Sequence, residues 1–427
     1  MDPFGTFVRF HRGGGEGLQQ IRDPGRRQAW VQGEDRGTGA IQRRRQRAEQ
    51  AAGPSGGREQ EGMQGAAGHR RKVNGRKRVR NGRAIGDRVA EVRAGPRQVP
   101  AAAVTGGRRG DVADLLPGLR AFAIPMRTRF RGITVREGAL IEGPAGWGEF
   151  SPFAGYGPRE CARWLACAVE AATAGWPPPV RDQVPVNVTV PAVGPQQAHA
   201  LVAASGCRTA KVKVAERGQS LTDDVARVEA VRDALGAAGN IRVDANAAWD
   251  VGQAERALRE LRRFGLEYAE QPCPTLDDLA ELRRRVDVPV AADESIRRAE
   301  DPLAVRAAGA ADIVVVKAQP LGGVRAALAV AEACGLPVVV SSAVETSVGL
   351  AAGVALAAAL PELGYACGLA TMSLLTGDVT DDPLAAAGGA LPVRRPAVAA
   401  ERLSAWETDP APWRARALAA AQWLEAA

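Results

Sequence analysis

Histidine is scarce in this chain, with three copies among 427 residues. His11 and His69 lie in the first 110 residues, and His199 lies in a predicted surface helix. Catalytic zinc sites and many general bases rely on histidine. The sequence therefore excludes a histidine-ligated zinc centre, and we expect a catalytic base of another type, namely Lys, Asp, Glu or Tyr.

Cysteine is also sparse, and its six copies form no CxxC pair. Scattered cysteines of this kind are typical of reduced, mostly buried thiols. Long hydrophobic runs are lacking as well, because the Ala-rich stretch 351–360 is shorter than a membrane span. The N-terminus has no recognisable secretion signal. We therefore expect a cytoplasmic protein that does not enter a membrane.

Residues 1–110 lack sustained apolar periodicity and hold 24 basic against 10 acidic residues, whereas the remainder holds 32 against 38. Such a composition cannot bury enough apolar surface to fold, so we expect a basic low-complexity extension. It is either a disordered arm or the product of translation upstream of a start near Val104 or Val112. Nucleic-acid binding by its arginine runs is a distant alternative, because the basic charge does not continue into the remainder and no aromatic residues accompany the runs.

After the extension, the chain changes character near Asp111. We expect a strand over residues 129–141, a turn at 143–146, a second strand at 147–150 and a helix over 158–175. These elements form a small α+β domain over residues 111–182.

From residue 183 to about 380, short β-rich runs alternate with amphipathic helices. Seven strands are predicted at 186–190, 209–214, 241–245, 267–270, 288–293, 313–317 and 338–341, with a weak eighth near 368–371. This repetition predicts an α/β fold with a parallel (β/α) barrel. A doubly wound sheet is disfavoured, because no G-x-G-x-x-G follows the first strand and no phosphate-loop lysine is present.

Each of the seven strands ends in a polar residue, at intervals of 23 to 31 residues. In order, these residues are Asn187, Lys213, Asp244, Glu270, Asp293, Lys317 and Ser341. In a parallel barrel this spacing brings the side chains to one mouth, at the carboxyl ends of the strands, where active sites lie. Buried charges are costly unless they are paired or bind a metal. The series therefore predicts a catalytic site.

The middle three of these residues are carboxylates on adjacent strands. Asp244, Glu270 and Asp293 offer hard oxygen ligands, which select Mg²⁺, or alternatively Mn²⁺, over zinc. Lys213 and Lys317 flank them and would act as the acid/base pair. Lys211 shares a strand face with Lys213, and its positive charge would favour the neutral, basic form of Lys213.

Five motifs in this order resemble the enolase superfamily, in particular its muconate-lactonising subgroup. They are Lys211-Val212-Lys213, Val243-Asp244-Ala245-Asn246, Tyr268-Ala269-Glu270-Gln271-Pro272, Ala292-Asp293-Glu294-Ser295 and Val316-Lys317. The resemblance covers about residues 120–395. It implies an enolase-type barrel over residues 183–380, a capping domain at 111–182, and a C-terminal segment, 381–427, that returns to the capping domain.

Within this subgroup the chain is similar to actinobacterial o-succinylbenzoate synthases. The supporting segments are 125–134, 146–150 and 184–187. The resemblance implies a Mg²⁺-dependent hydro-lyase that dehydrates a small carboxylate substrate carrying a succinyl arm, a step of menaquinone synthesis. N-acylamino acid racemases, dipeptide epimerases and muconate cycloisomerases share the barrel residues, so these activities stay open as alternatives.

The resemblance also implies a role for each candidate residue. Lys213 removes the proton α to the substrate carboxylate and returns it to the departing hydroxyl, while Lys317 stabilises the developing negative charge. Asp244, Glu270 and Asp293 bind the metal ion. The expected substrate contacts are Ser341, Ser342, Asn187 and Arg131.

Overall fold

The computed structural model describes residues 109–130, 132–298 and 302–424. The strands are β1 (Arg120–Phe130), β2 (Ile133–Gly143), β3 (Gly146–Phe150), β4 (Gln183–Pro185), β5 (Val188–Val190), β6 (Thr209–Lys213), β7 (Asn240–Asp244), β8 (Leu266–Glu270), β9 (Val290–Ala292), β10 (Ile313–Val316), β11 (Val338–Val340), β12 (Ala390–Pro392) and β13 (Glu407–Thr408). The helices are α1 (Arg109–Leu115), α2 (Pro158–Thr173), α3 (Pro195–Ser205), α4 (Leu221–Leu235), α5 (Val251–Leu261), α6 (Leu276–Arg283), α7 (Glu294–Arg297), α8 (Ala304–Ala307), α9 (Val324–Cys334), α10 (Ser347–Ala359), α11 (Ala400–Ser404) and α12 (Ala411–Ala421). The predicted extension, residues 1–110, lies outside the described residues except for its last two positions.

The seven strands β5 to β11 form one parallel sheet in chain order. Two isolated bridges close the sheet into a barrel: Ser341 pairs with Gly368 beside β11, and Cys367 pairs with Val186 beside β5. The predicted barrel is therefore confirmed, and the weak eighth strand is reduced to these two pairings. β10 is buried along its whole length, as expected for a parallel strand packed on both faces.

Local sequence signals fix where the outer helices begin. Ser220 precedes α4, and its hydroxyl accepts the Asp223 amide hydrogen while the Asp223 carboxylate accepts the Ser220 amide. This capping box satisfies two amides that the helix itself leaves without partners. Thr346 caps α10 in a similar way through the Val348 amide. These caps define the first turns of α4 and α10.

A four-stranded antiparallel sheet, in the order β13–β1–β2–β3, lies outside the barrel and packs against α2. Close packing of α2 on β3 requires glycine at position 148, because a Cβ there would approach the Ala168 carbonyl oxygen to 2.0 Å. The C-terminal chain returns to this sheet, where Glu407 pairs with Phe122 of β1. Helix α12 then packs its buried residues into the same apolar cluster as α2.

One prediction of secondary structure is wrong. Residues 129–141 do not form a single strand, because β1 ends at Phe130, β2 begins at Ile133, and Gly132 turns between them with a φ of +82°. Most of β1 escaped prediction, since Pro125 and three arginines break its apolar alternation, and only its last two residues lie within the predicted strand. The cysteine prediction is confirmed, as all six thiols are buried and free. Within the described ranges, no helix is long and apolar enough to span a membrane.

Candidate active site

Three carboxylates lie at the carboxyl ends of adjacent barrel strands. Asp244 and Glu270 are the last residues of β7 and β8 and are paired in register, and Asp293 follows β9 directly. Each is only 1% exposed. Strand order alone brings them together, since parallel strands end at the same edge of the sheet.

Lysines lie on the strands that flank these carboxylates. Lys213 ends β6, and its Nζ is 2.5 Å from Asp244 Oδ2 and 2.7 Å from Asn246 Oδ1. Lys317 follows β10, and its Nζ is 2.5 Å from Asp293 Oδ2. The order β6 to β10 therefore places one ammonium on each side of the three carboxylates.

Lys211 bridges two of the carboxylates. Its Nζ is 2.7 Å from Glu270 Oε1 and 2.9 Å from Asp244 Oδ2. Burial by itself would lower the pKa of Lys211, but the charges of Asp244 and Glu270 outweigh burial and raise that pKa above its usual range. Lys211 is therefore a fixed cation, and it lies on the same strand face as Lys213.

The carboxylates differ in their affinity for protons. Burial acts to raise the pKa of Asp244, but Lys211 and Lys213 together hold it well below the usual range. Burial raises the pKa of Glu270 to about 7, and repulsion from Asp244 and Asp293 adds to this shift. Three carboxylates therefore lie close together at the barrel mouth, and the positive charge around Glu270 does not offset its burial and the repulsion from the other two.

The environment of Lys317 contains cationic neighbours that the sequence analysis did not identify. Burial lowers the pKa of Lys317, Asp293 acts to raise it, and the charges of Arg297 and Lys211 lower it further. Arg297 Nε is 3.2 Å from Asp293 Oδ1. The sequence signal was present, because Arg297 is four residues after Asp293 and α7 brings the two together.

A narrow cavity at the barrel mouth joins these groups, with a volume of about 20 Å³. Phe130 and Phe153 line it from the side of the four-stranded sheet. Its other lining residues are Thr189, Lys211, Lys213, Asp244, Asp293, Lys317, Ser341, Ser342, Ala343, Val344, Gly368 and Thr371. Of these, Thr189, Thr371 and the two phenylalanines were not anticipated, since hydroxyl and aromatic residues in loops and at strand starts carry no distinctive pattern.

One predicted substrate contact, Asn187, is not among the residues that line this cavity. Asn187 does not end a barrel strand but precedes β5, and its Oδ1 accepts a hydrogen bond from Arg242 Nη1 at 3.1 Å. It belongs to the interior of the barrel, and Thr189, two residues later on the same face, lines the cavity instead. The assignment of Asn187 to the strand end is therefore wrong. Arg131 lies outside the described residues.

The donor chemistry at the mouth fits a hard divalent cation. All three candidate ligands are carboxylates, and repulsion from Asp244 and Asp293 adds to the burial that raises the pKa of Glu270, a repulsion that a bound cation would relieve. In the part of the chain that the structure describes, no three His, Cys, Asp or Glu side chains converge at ligand distance, because each carboxylate is paired with a lysine. The fit thus rests on ligand type and crowding.

A second cavity is larger, about 630 Å³, and lies between α3 and the C-terminal part of the chain. Cys207, Asp378 and Trp406 are among its lining residues, and none of the predicted catalytic or metal-binding residues contributes to it. Size therefore does not identify the active site here. The grouping of buried lysines and carboxylates does.

Comparison with known proteins agrees with this architecture. The enolase C-terminal domain-like family matches residues 195–397, and the enolase N-terminal domain-like family matches residues 121–172. A muconate lactonizing enzyme from Pseudomonas fluorescens superimposes with a TM-score of 0.60 at 22% identity, covering 68% of this chain and 98% of that chain. A dipeptide epimerase from Enterococcus faecalis gives 0.55 at 23%, covering 66% and 96%. Barrel, capping sheet and family matches together define a member of the enolase superfamily.

Sequence relatives narrow this class. An o-succinylbenzoate synthase from Thermobifida fusca is 73% identical over 305 residues, which are 71% of this chain and 96% of the relative. An o-succinylbenzoate synthase from Mycobacterium ulcerans is 55% identical over 317 residues, covering 73% of this chain and 92% of the relative. The chain belongs to the o-succinylbenzoate synthase family.

Proposed function

We propose that this chain dehydrates a succinyl-bearing hydroxycyclohexadiene carboxylate to o-succinylbenzoate, a step of menaquinone biosynthesis. The observation that carries the proposal is the pair of buried lysines, Lys213 and Lys317, on the two sides of three carboxylates at the barrel mouth. Family membership selects this reaction among those that such a mouth supports.

Lys213 acts as the base. As a neutral amine it takes the proton from the carbon α to the substrate carboxylate, and the C–H electrons pass toward that carboxylate. The electrons then form the new ring double bond as the C–O bond breaks. The hydroxyl leaves with the proton held by Lys213, so the products are the aromatic ring and water. Lys211, on the same strand face, stays charged because Asp244 and Glu270 hold it, so it takes no part in this proton transfer.

Lys317 has an electrostatic role and does not act as the base. Its ammonium is held by Asp293 at 2.5 Å and lies across the carboxylates from Lys213. From there it stabilises the negative charge that develops when the α-proton leaves.

Asp244, Glu270 and Asp293 would hold Mg²⁺, with Mn²⁺ as an alternative. When bound, the cation supplies positive charge that orients the substrate carboxylate and stabilises its extra negative charge. The three residues are suited to this by their carboxylate oxygens and by the mutual repulsion that, together with burial, raises the pKa of Glu270.

Ser341, Ser342 and Thr371 supply the polar lining of the cavity beside the charged groups, with the Ser342 and Thr371 hydroxyl oxygens 2.8 Å apart. A volume of about 20 Å³ has room for about one water molecule. Substrate entry therefore requires the lining residues to separate, with Phe130 and Phe153 on the capping side of the opening.

The decisive experiment supplies the full chain with Mg²⁺ and two substrates in parallel reactions. Formation of o-succinylbenzoate from the hydroxycyclohexadiene precursor is followed by absorbance, and racemisation of an N-succinylamino acid is followed by polarimetry. We expect rapid dehydration. Rapid racemisation without dehydration would overturn the proposal in favour of a racemase.

We further propose that the capping domain, residues 111–182, and the barrel, residues 183–380, carry the activity in the cytoplasm, and that residues 1–103 of the extension are dispensable for it. Val112 is 2% exposed within the apolar cluster of α2, so a shortened chain should begin before α1, at about residue 104. Equal melting temperature and turnover in the shortened and full chains support the proposal. Loss of activity on shortening contradicts it.

A further inference from the structure

The loop after β11 forms one wall of the catalytic cavity and contains an unusual backbone conformation. Residues 341–344 line the cavity, and Val344 has a φ of +65°. A β-branched residue rarely adopts this left-handed region, because its side chain crowds the backbone. Such a conformation persists only where the surroundings hold it in place.

A buried arginine of the capping sheet holds this turn. Arg136 of β2 is 2% exposed, and its Nε donates to the Val344 carbonyl oxygen at 2.9 Å. Its Nη2 donates to Ser151 Oγ at 2.8 Å and to the Ser151 carbonyl oxygen at 2.5 Å, and its Nη1 donates to the Glu137 carbonyl oxygen at 2.8 Å. One guanidinium thus ties two strands of the capping sheet to the strained residue.

A second attachment lies two residues further along the same loop. Glu149 of β3 accepts hydrogen bonds from the Thr346 and Gly349 amides, both at 3.1 Å, at the start of α10. Ser151 Oγ donates to the other oxygen of Glu149 at 2.6 Å, so both attachments meet at Ser151. The capping sheet therefore holds the loop at its strained residue and at the helix cap that follows it.

We propose that Arg136 is a positioning residue, which holds the Val344 turn and so shapes the substrate-facing wall formed by residues 341–344. None of its hydrogen bonds reaches the lysines or carboxylates of the mouth. Its guanidinium also lies 4.9 Å from the ring centre of Phe153 on the capping side of the cavity, so Arg136 acts on the cavity through the wall and this ring. The inference rests on the proposed function for the identity of the substrate. The contact between Arg136 and the loop does not depend on it.

The test compares Arg136→Met with a matched control, Arg395→Met, in the full chain. Arg395 is a partly buried arginine that also donates to three backbone carbonyls, those of Ala145, Trp147 and Ala171, and none of these lies in the wall. We expect Arg136→Met to raise KM by about tenfold with a smaller change in kcat. Amide hydrogen exchange in residues 342–346 should accelerate by a similar factor, whereas Arg395→Met should change neither quantity.

A second variant tests the strain directly. Glycine adopts positive φ without steric cost, so Val344→Gly should reduce the need for the arginine. The KM increase and the faster exchange caused by Arg136→Met should therefore be smaller when Val344→Gly is also present. Equal increases in KM from Arg136→Met and Arg395→Met would overturn the inference. Fully additive effects of Arg136→Met and Val344→Gly on KM and on exchange would overturn it as well.

Where Arg136→Met does not fold, Arg136→Lys replaces it, because lysine keeps the charge but cannot bridge the same acceptors. Failure of the wild-type chain to form o-succinylbenzoate refutes the proposed reaction only. The exchange rates of residues 342–346 then still decide whether Arg136 holds the wall.

Discussion

Buried charges occur in two regions of the same barrel, at the mouth and in the interior. At the mouth, Lys213 and Asp244 line a cavity and form one of several neighbouring ion pairs. Arg242 lies in the interior, two residues before Asp244 on β7, and is fully buried. It donates to Glu267 at 2.5 Å and to the Ala366 carbonyl oxygen at 2.6 Å.

The interior arginine is enclosed by fixed partners. Its guanidinium lies 4.8 Å from the ring centre of Tyr268 and 5.7 Å from that of Tyr365, and it also donates to Asn187. Buried charged side chains occur in both regions, so burial alone does not identify the catalytic site. The mouth differs from the interior in two respects: its charged groups line a cavity, and several charges of the same sign lie close to one another there.

The largest expected difference between the regions concerns metal dependence. Asp244→Asn, Glu270→Gln and Asp293→Asn each remove a hard oxygen ligand, so each should lower kcat/KM by on the order of a thousandfold or more. EDTA should abolish turnover in the unsubstituted chain. Isothermal titration with Mg²⁺ should show weakened binding in each variant and unchanged binding in Arg242→Met. Full turnover after chelation would contradict the metal assignment.

The two lysines at the mouth should differ from each other. Lys213→Ala should lose both dehydration and exchange of the substrate α-proton with solvent, because the proton acceptor is gone. Lys317→Arg keeps the positive charge and should retain more activity than Lys213→Arg. Turnover and deuterium incorporation in D₂O measure the two effects. Greater activity in Lys213→Arg, or proton exchange that depends on Lys317, would reverse the roles.

The interior arginine should affect stability more than chemistry. Arg242→Met removes the hydrogen bonds to Glu267, Asn187 and the Ala366 carbonyl oxygen and should lower the free energy of unfolding by about 1–3 kcal/mol, with kcat of the folded fraction within a fewfold of normal. Urea unfolding and turnover of the same sample provide the comparison. A stable variant with kcat reduced a hundredfold would place Arg242 in the catalytic machinery.

The last expected effect is a dependence of stability on pH. Mg²⁺ should change the contribution of Glu270 to it but not that of Glu149. Burial raises the pKa of both Glu270, at the mouth, and Glu149, in the capping sheet, to about 7. Between about pH 4.3 and 7 the folded chain then binds more protons than the unfolded chain, so stability falls as pH rises, by up to about 1.4 kcal/mol per pH unit for each group.

Glu149→Gln should remove the contribution of Glu149 to the decrease of stability with rising pH, with or without Mg²⁺. Glu270→Gln should remove the contribution of Glu270 only when Mg²⁺ is absent. Urea unfolding at several pH values, with and without Mg²⁺, measures both slopes. An identical Mg²⁺ response of the two variants would show that Glu270 is not a metal ligand.

Much of the barrel was predictable, because each unit carries its own signal. The strands ending at Lys213, Asp244 and Glu270 are short apolar runs followed by a polar residue, and α9 was predicted with its observed ends. The capping sheet was harder to predict. β1 contains Pro125 and exposed arginines, and its pairing with β13 joins residues 287 positions apart in register, so no local pattern reveals it.

The sequence by itself determined the barrel and the order of Lys213, Asp244, Glu270, Asp293 and Lys317 around its mouth, because strand period and unit length place strand ends at one edge. Only the tertiary structure decided that Asn187 lies in the barrel interior with Arg242, that Arg297 approaches Lys317, and that Arg136 holds Val344. These arrangements depend on side chains brought together by packing between distant segments. Local periodicity carries no information about such contacts.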